Sequence, residues 1–463
     1  MNRRKQPTSS SGSGSVDPSS LANLKPTANT ANFDKSMRPP KNQTFLGRLV
    51  YEPFFSRTQL DALMNYKNTG EDLSLTYRYV MTPLYKRLIN YIPLSLAPNL
   101  ITLMGTLCVV FPHLLLVSYS YDIQTPAPSF VYALNGLGIF CYMILDNLDG
   151  RQARRTGMSS PLGHLFDHGC DALNVTIAGL TVAASLRLGG GSGMMSLLPY
   201  WVVWTLGQFV CYMATLEEFF TGSMILRQIN GPNEGIIVIV LFLLLTSITG
   251  PQFWDQSYAL PNILQKFVYL TPLSTFDTTK GLPLKYFVCL LPFPLCIPTS
   301  FLNLYEVWRN GHRQKNRSGW KDLITALSYS FNFIVLSIAV FTWLYVTPRN
   351  FPYKSLLLIW LSGACFFHIV SRLILAHLTG IKFPIFLKML VPLCLGSFNA
   401  VVGTVIRGKP FLDDRVVFGA VYGITMVFNA WRIYCMITQV CWFLGIRCFR
   451  AGKLDDNTEE KDE

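Results

Sequence analysis

Apolar residues in this chain gather into a succession of long runs separated by short polar stretches. We place ten such runs near residues 98–118, 128–147, 163–186, 194–215, 235–250, 285–306, 323–346, 353–375, 383–405 and 416–445. Nine are long enough to cross a bilayer as helices, which takes about 20 residues at 1.5 Å rise. The fifth is short for a full crossing. Ahead of the runs, Tyr79, Val80, Leu84, Leu88 and Tyr91 recur at helical spacing beside Lys86 and Arg87. That pattern predicts an amphipathic helix lying on the membrane surface, with packing against a soluble partner as the alternative. Residues 1–45 are rich in Ser, Thr, Pro and Gly and carry no apolar core of signal-peptide length, so a disordered tail is expected there. The resulting division is a tail over 1–45, an interfacial segment over 46–97, a transmembrane domain over 98–446 and a polar tail over 447–463.

Composition agrees. Of 463 residues, 50% are hydrophobic and only 14% are charged, against about 25% charged in soluble proteins; mean hydropathy is +0.32. The expected fold is an all-α polytopic membrane bundle of ten spans. The net charge of +13 is spread over the tail and short loops rather than collected on one recognition element, which argues against a nucleic-acid partner. Arg151, Arg154 and Arg155 fall in one loop, and Arg309, Arg313, Lys315, Arg317 and Lys321 in another, whereas residues 119–127 hold no basic side chain. The positive-inside rule then puts both loops and both termini in the cytosol. Eleven Cys without a CxxC pair predict buried free thiols, not a zinc site or a disulfide framework.

The chemistry lies between the second and third runs. Asp146 and Asp149 are three apart, and Asp167 and Asp171 four apart, so each pair shares a helix face. Four carboxylates at a membrane boundary cannot all stay ionised without compensation. Hard oxygen donors from two helices suit Mg2+ or Mn2+, and paired ions of this kind support in-line phosphoryl transfer. Small residues (Gly150, Ala153, Gly163) beside the carboxylates leave room for a bulky ligand, and the three loop arginines are placed to meet phosphates. The bland reading makes these carboxylates helix caps paired with the arginines, which would account for two of them but not four.

The run D-x2-D-G-x2-A-R-x8-G-x3-D-x3-D from Asp146 to Asp171 resembles the signature of the CDP-alcohol phosphotransferases. The resemblance implies a metal-dependent membrane enzyme that displaces CMP from a CDP-alcohol. By it, Asp146, Asp149, Asp167 and Asp171 bind the metal, while Asn99, Asp149, Gly150, Ala153, Arg154 and Gly163 line the CDP site, with Arg154 on the phosphates. The stretch Leu96–Thr102, Tyr66-Lys67 with Asp72 and Ser74, Glu217-Glu218, Asn230–Gly235 and Arg372–His377 look like the choline/ethanolamine phosphotransferases in particular. That group implies CDP-choline or CDP-ethanolamine as donor, diacylglycerol (or an ether analogue) as acceptor, a homodimer, and the endoplasmic reticulum or Golgi with the site facing the cytosol. Another head group remains the alternative. A cation-binding transporter would need discontinuous helices and an internal repeat, neither of which is legible in the sequence.

One departure bears on mechanism. The choline/ethanolamine group usually carries Glu where this chain has His164, one turn before His168. A carboxylate there would raise the basicity of the imidazole; His164 cannot. Either His168 is the general base with other help, or Asp171 is the base, or activity is altered. Glu217 and Glu218 either shape the head-group end of the pocket or cap the fourth span in water. His113, His312 and His368 are expected to be structural, and His377 to sit at a solvated helix end.

Overall fold

The computed structural model describes residues 54–66, 70–189, 194–226, 232–258, 281–314, 317–346 and 354–451. The expected tail over 1–45, most of the C-terminal tail, Lys67, Asn230, Gly231 and Lys315 lie outside these. The chain is an all-helical, multi-pass integral membrane protein. A short helix α1 (Arg57–Asn65) and an interfacial helix α2 (Thr82–Leu88) precede the bundle. The expected spans follow as α3 (Pro98–Tyr119), α4 (Ser129–Thr156), α5 (Pro161–Ser185), α6 (Met194–Thr221) and α7 (Pro232–Thr249). Next come α8 (Leu284–Leu290) with α9 (Phe293–Arg313), then α10 (Gly319–Tyr329) with α11 (Phe331–Val346). Last are α12 (Lys354–Thr379), α13 (Val391–Arg407) and α14 (Asp414–Leu444).

Among the described residues, eight spans pass on length and apolar composition, counting α8–α9 and α10–α11 as one each. The other two expected spans are α5, which carries polar residues for a reason given below, and α7, which is short as expected. Two spans are interrupted along their length. Pro292, which has no N–H to donate, separates α8 from α9, and Ser330 separates α10 from α11. The helices that carry the aspartates, α4 and α5, are unbroken. The ninth span begins later than expected, at Val391, because Pro392 fits the first turn of a helix and not its interior.

Two differences at the interface matter for the site. Helix α4 does not end near residue 147 but runs on to Thr156, so Arg151, Arg154 and Arg155 are helical. It stops only at Gly157, whose φ of 68° supplies the left-handed cap, with the Met158 N–H returning to the Ala153 carbonyl at 2.9 Å. Three residues later Ser160 caps α5, accepting from the Gly163 N–H at 3.1 Å, and Pro161 occupies the first turn. A connection this short folds α5 back antiparallel beside α4.

The interfacial pattern also divides. Met81 and Tyr85 are buried against Met143 and Leu148 of α4, with Leu84 and Leu88 packed at their edge. Tyr79, Val80 and Tyr91 stay exposed at 60% or more, an apolar outward face suited to the bilayer boundary.

Helix α12 is the central post: 78% of its membrane window is buried, against 17–44% for the other spans. It packs on α1, α5, α6, α11 and α14, and Trp204, Trp343, Tyr200, Tyr212 and Phe366 fill the surrounding core. The outer spans turn large apolar side chains outward, among them Phe111, Phe301, Ile338 and Val427.

Candidate active site

The C-terminal half of α4 and the N-terminal half of α5 face each other, and their aspartates meet. Carboxylate oxygens of Asp146, Asp149 and Asp167 lie within 4.8 Å of one another. Asp171, one turn below Asp167, interacts electrostatically with Asp146 but does not join that trio. It accepts instead from the Tyr142 hydroxyl on α4. Asp149 is 5% exposed and accepts from the Thr102 hydroxyl on α3. Asp146 Oδ1 and Asp167 Oδ1 are buried with no hydrogen-bond partner among the described residues.

Removing even one unpaired carboxylate from water costs several kcal/mol. A group of four with two oxygens unsatisfied fits a divalent cation: the donors are hard oxygens, they come from two facing helices, and no other group among the described residues satisfies those two oxygens.

The small residues stand where a ligand would approach. A Cβ at Gly150 would meet only Arg154 Nη1, at 3.6 Å, and one at Gly163 would lie 3.5 Å from Asn99 Oδ1. Asn99 thus reaches the site from the start of α3, and its amide also donates to Cys448 Sγ at 3.6 Å. Ala153 is half-buried one turn beyond Asp149, and Arg154 is exposed at the mouth.

The other two arginines are placed differently from the expectation. Arg151 donates to the Tyr77 hydroxyl at 2.9 Å and covers the Tyr85 ring, while Arg155 donates to the carbonyls of Ile89 and Ile92. Their charge is spent on the interfacial segment, and of the three only Arg154 is left beside the carboxylates.

A second group adjoins the first. His164 and His168 lie against each other on α5 with ring centroids 4.4 Å apart and planes tilted by 53°, and Glu218 of α6 pairs with His164 Nε2 at 3.1 Å. Glu217 and Glu218 are 6% and 2% exposed, so they do not cap α6 in water. Glu217 faces Asn303 of α9, whose amide donates to it at 2.8 Å. His377 is not at a solvated end either: it is half-buried, and its ring and that of His164 each lie 5.7 Å from Tyr66. Burial raises the Tyr66 phenol above its ordinary range, and the nearby Glu218 charge adds to the effect. Elsewhere His113 bonds Thr181 and Trp360, and His368 bonds Asn429 and Arg432, both inside the bundle.

Segments far apart in sequence close the site from the interface. Asp72 accepts from Asn233 at 3.0 Å, Asn233 accepts from Asn147 at 3.4 Å, and Glu234 accepts from the Thr76 N–H at 3.2 Å. A two-residue parallel ladder pairs β1 (Glu71–Asp72) with β2 (Ile225–Leu226) alongside. Burial lifts the Asp72 carboxyl above its usual range, and the Ser74 hydrogen bonds oppose that rise.

Thr102, Tyr142 and Tyr66 carry no chemistry that composition or spacing could flag. The sequence signal that did exist was the resemblance at Leu96–Thr102 and at Tyr66, which did not say what those side chains touch.

The CDP-alcohol phosphatidyltransferase family pattern matches residues 95–270. The chain is 33% identical over 399 residues to choline/ethanolaminephosphotransferase 1 of Arabidopsis thaliana, covering 85% of this chain and 97% of that one. It is 33% identical over 419 residues to CDP-alcohol phosphatidyltransferase class-I family protein 3 of Dictyostelium discoideum (86% and 98% covered). Identity to choline/ethanolaminephosphotransferase 1 of Saccharomyces cerevisiae is 30% over 354 residues (74% and 83% covered).

Proposed function

We propose that the chain, which belongs to the CDP-alcohol phosphatidyltransferase family, transfers phosphocholine or phosphoethanolamine from the CDP-alcohol to diacylglycerol, releasing CMP. Membership carries CDP-alcohol phosphotransferase activity of the EC 2.7.8 class; the head group and the acceptor are our reading. The observation that carries the reading is the meeting of the Asp146, Asp149 and Asp167 carboxylates within 4.8 Å, beside His168. The Asp72–Asn233–Asn147 network supports the choline/ethanolamine assignment, because it joins the separate stretches that resemble that group.

In this reading Asp146, Asp149, Asp167 and Asp171 hold Mg2+ or Mn2+, which when bound neutralises charge on the diphosphate. Asn99, Gly150, Ala153 and Gly163 leave the space that the nucleotide fills, and Arg154 reaches the phosphates from the mouth. His168 takes the proton of the acceptor hydroxyl as its oxygen attacks the phosphorus bearing the amino-alcohol, and the bond from that phosphorus to the CMP oxygen breaks. Asp171 is the weaker choice for the base because the Tyr142 hydroxyl already occupies it. His168 has its help from Glu218, which brings a carboxylate to the imidazole pair from α6.

Radiolabel transfer from CDP-choline and from CDP-ethanolamine to diacylglycerol, run side by side in detergent micelles, tests the proposal. Labelled phosphatidylcholine or phosphatidylethanolamine is expected. No product from either donor, with turnover of a different CDP-alcohol, would overturn the head-group assignment.

A further inference from the structure

On the α5 face that carries the aspartates sits a second set of donors with different chemistry. His164 and His168 are one turn apart, and Glu218 enters from α6. One ring nitrogen of each histidine and one Glu218 oxygen all lie within 4.8 Å of one another. The set is enclosed: His164 is 8% exposed and Glu218 2%. An independent feature is the second Glu218 oxygen, Oε2, which is buried with no hydrogen-bond partner among the described residues. A carboxylate held this deep usually finds partners for both oxygens.

We propose that His164, His168 and Glu218 form a binding site for a transition-metal dication of the zinc class, separate from the aspartate site, and that filling it inhibits transfer. Two imidazole nitrogens and one carboxylate oxygen are donors that zinc accepts in three-ligand sites with a fourth position open. Mg2+ prefers an octahedron of oxygens and is drawn to the aspartates instead. Zinc–ligand bonds of about 2.0–2.1 Å in a tetrahedron set donor atoms roughly 3.4 Å apart. The His164–Glu218 pair, at 3.1 Å, is already near that spacing, and side-chain rotation brings His168 in. Zinc takes these donors in their deprotonated form, so any proton they carry leaves to solvent on binding. It also takes the His168 lone pair, so that nitrogen can no longer accept the hydroxyl proton. Inhibition, unlike binding, therefore rests on His168 being the base.

The test uses the full chain in detergent micelles with Mn2+ in excess. Bound zinc is counted by elemental analysis, and Co2+ is substituted to read the ligand set from its visible absorption. One zinc per chain is expected in the wild type and in Asp149→Asn. In His164→Gln and in Glu218→Gln, zinc affinity is expected to fall by more than roughly the 10–100-fold that loss of a mere supporting partner costs. Co2+ should show four-coordinate bands without thiolate charge transfer. Zinc that Mn2+ displaces, or that disappears in Asp149→Asn and persists in both other variants, overturns the site, as does a thiolate band from the cysteines. The two variants are separate probes of one site, so a variant that aggregates on size exclusion leaves the decision to the other. Zinc bound through these residues with undiminished transfer upholds the site and overturns His168 as the base.

Discussion

Thr102 and Tyr142 each direct a hydroxyl at one aspartate, and together they sort four similar carboxylates into different roles. Asp149 is held by Thr102 and Asp171 by Tyr142, while Asp146 and Asp167 keep an oxygen free. If these oxygens hold a divalent ion, excess chelator should abolish transfer, and Mg2+ or Mn2+ should restore it. Asp149→Asn should be inactive yet elute from size exclusion as the wild type does; full activity in chelator would exclude the metal role. If His168 takes the proton, His168→Ala should lower turnover by roughly 10²–10⁴-fold, the usual worth of a positioned base. CMP binding, measured by thermal shift, should change little in that variant, since the nucleotide residues are untouched. Near-normal turnover in His168→Ala beside loss in Asp171→Asn would assign the base to Asp171. The aspartates and His168 were legible in the sequence because i, i+3 and i, i+4 spacing survives any tertiary arrangement. Glu218 was not, since its meeting with His164 depends on how α6 packs on α5, and a paired Glu at a helix end reads equally well as solvated.

At the scale of elements, what fixes the site is the contact of α3 with α4 and of α4 with the interfacial segment. A Cβ at Gly138 of α4 would stand 2.1 Å from the Cys108 carbonyl of α3, so the two backbones touch there and only glycine fits. Gly138→Val should cost about 1–3 kcal/mol, as overpacking does, and should part Thr102 from Asp149. A lowered unfolding temperature together with weaker CMP binding would show it; unchanged values for both would place the crossing elsewhere. The interfacial segment is tied by Arg155 to the carbonyls of Ile89 and Ile92. Arg155→Ala should speed limited proteolysis within residues 75–95 and reduce transfer only in part, whereas an arginine that bound phosphate would affect donor KM. The sequence misplaced Arg151 and Arg155 for a definite reason. Charge alone says that a basic residue is near the surface, and it was the continuation of α4 through Gly150 to Thr156, with no Pro to break it before Gly157, that turned them toward the aromatic side chains of the segment.

Across the whole molecule, the two ends of the bundle differ in how their charges are satisfied. At one end Asp255 pairs with both Arg187, at 2.5 Å, and Lys285, at 2.8 Å, and the Arg187 guanidinium also donates to the Gln124 carbonyl. Arg187 and Lys285 are thus balanced by one carboxylate. The opposite end holds the aspartate site, the Asn310 bond to Phe220 that joins α9 to α6, and the packing of Phe449 on Phe166 that brings the chain's last described segment to α5. It also holds Arg154, exposed, whereas Arg407 lies at the other end, in the last turn of α13. We infer the orientation from the positive-inside rule, on the basic residues Arg151, Arg154, Arg155, Arg309, Arg313 and Lys321 toward the end with the active site. That end is therefore expected to face the cytosol, where a water-soluble CDP-alcohol is made available, while the lipid acceptor arrives laterally between spans. A single accessible cysteine at Ser159, in a background stripped of exposed cysteines, reports on this directly. In sealed microsomes it should react with a membrane-impermeant maleimide added outside, whereas a cysteine at Gln124 should react only after the membrane is opened. The reverse pattern would put the donor site in the lumen and require a route for the nucleotide across the bilayer.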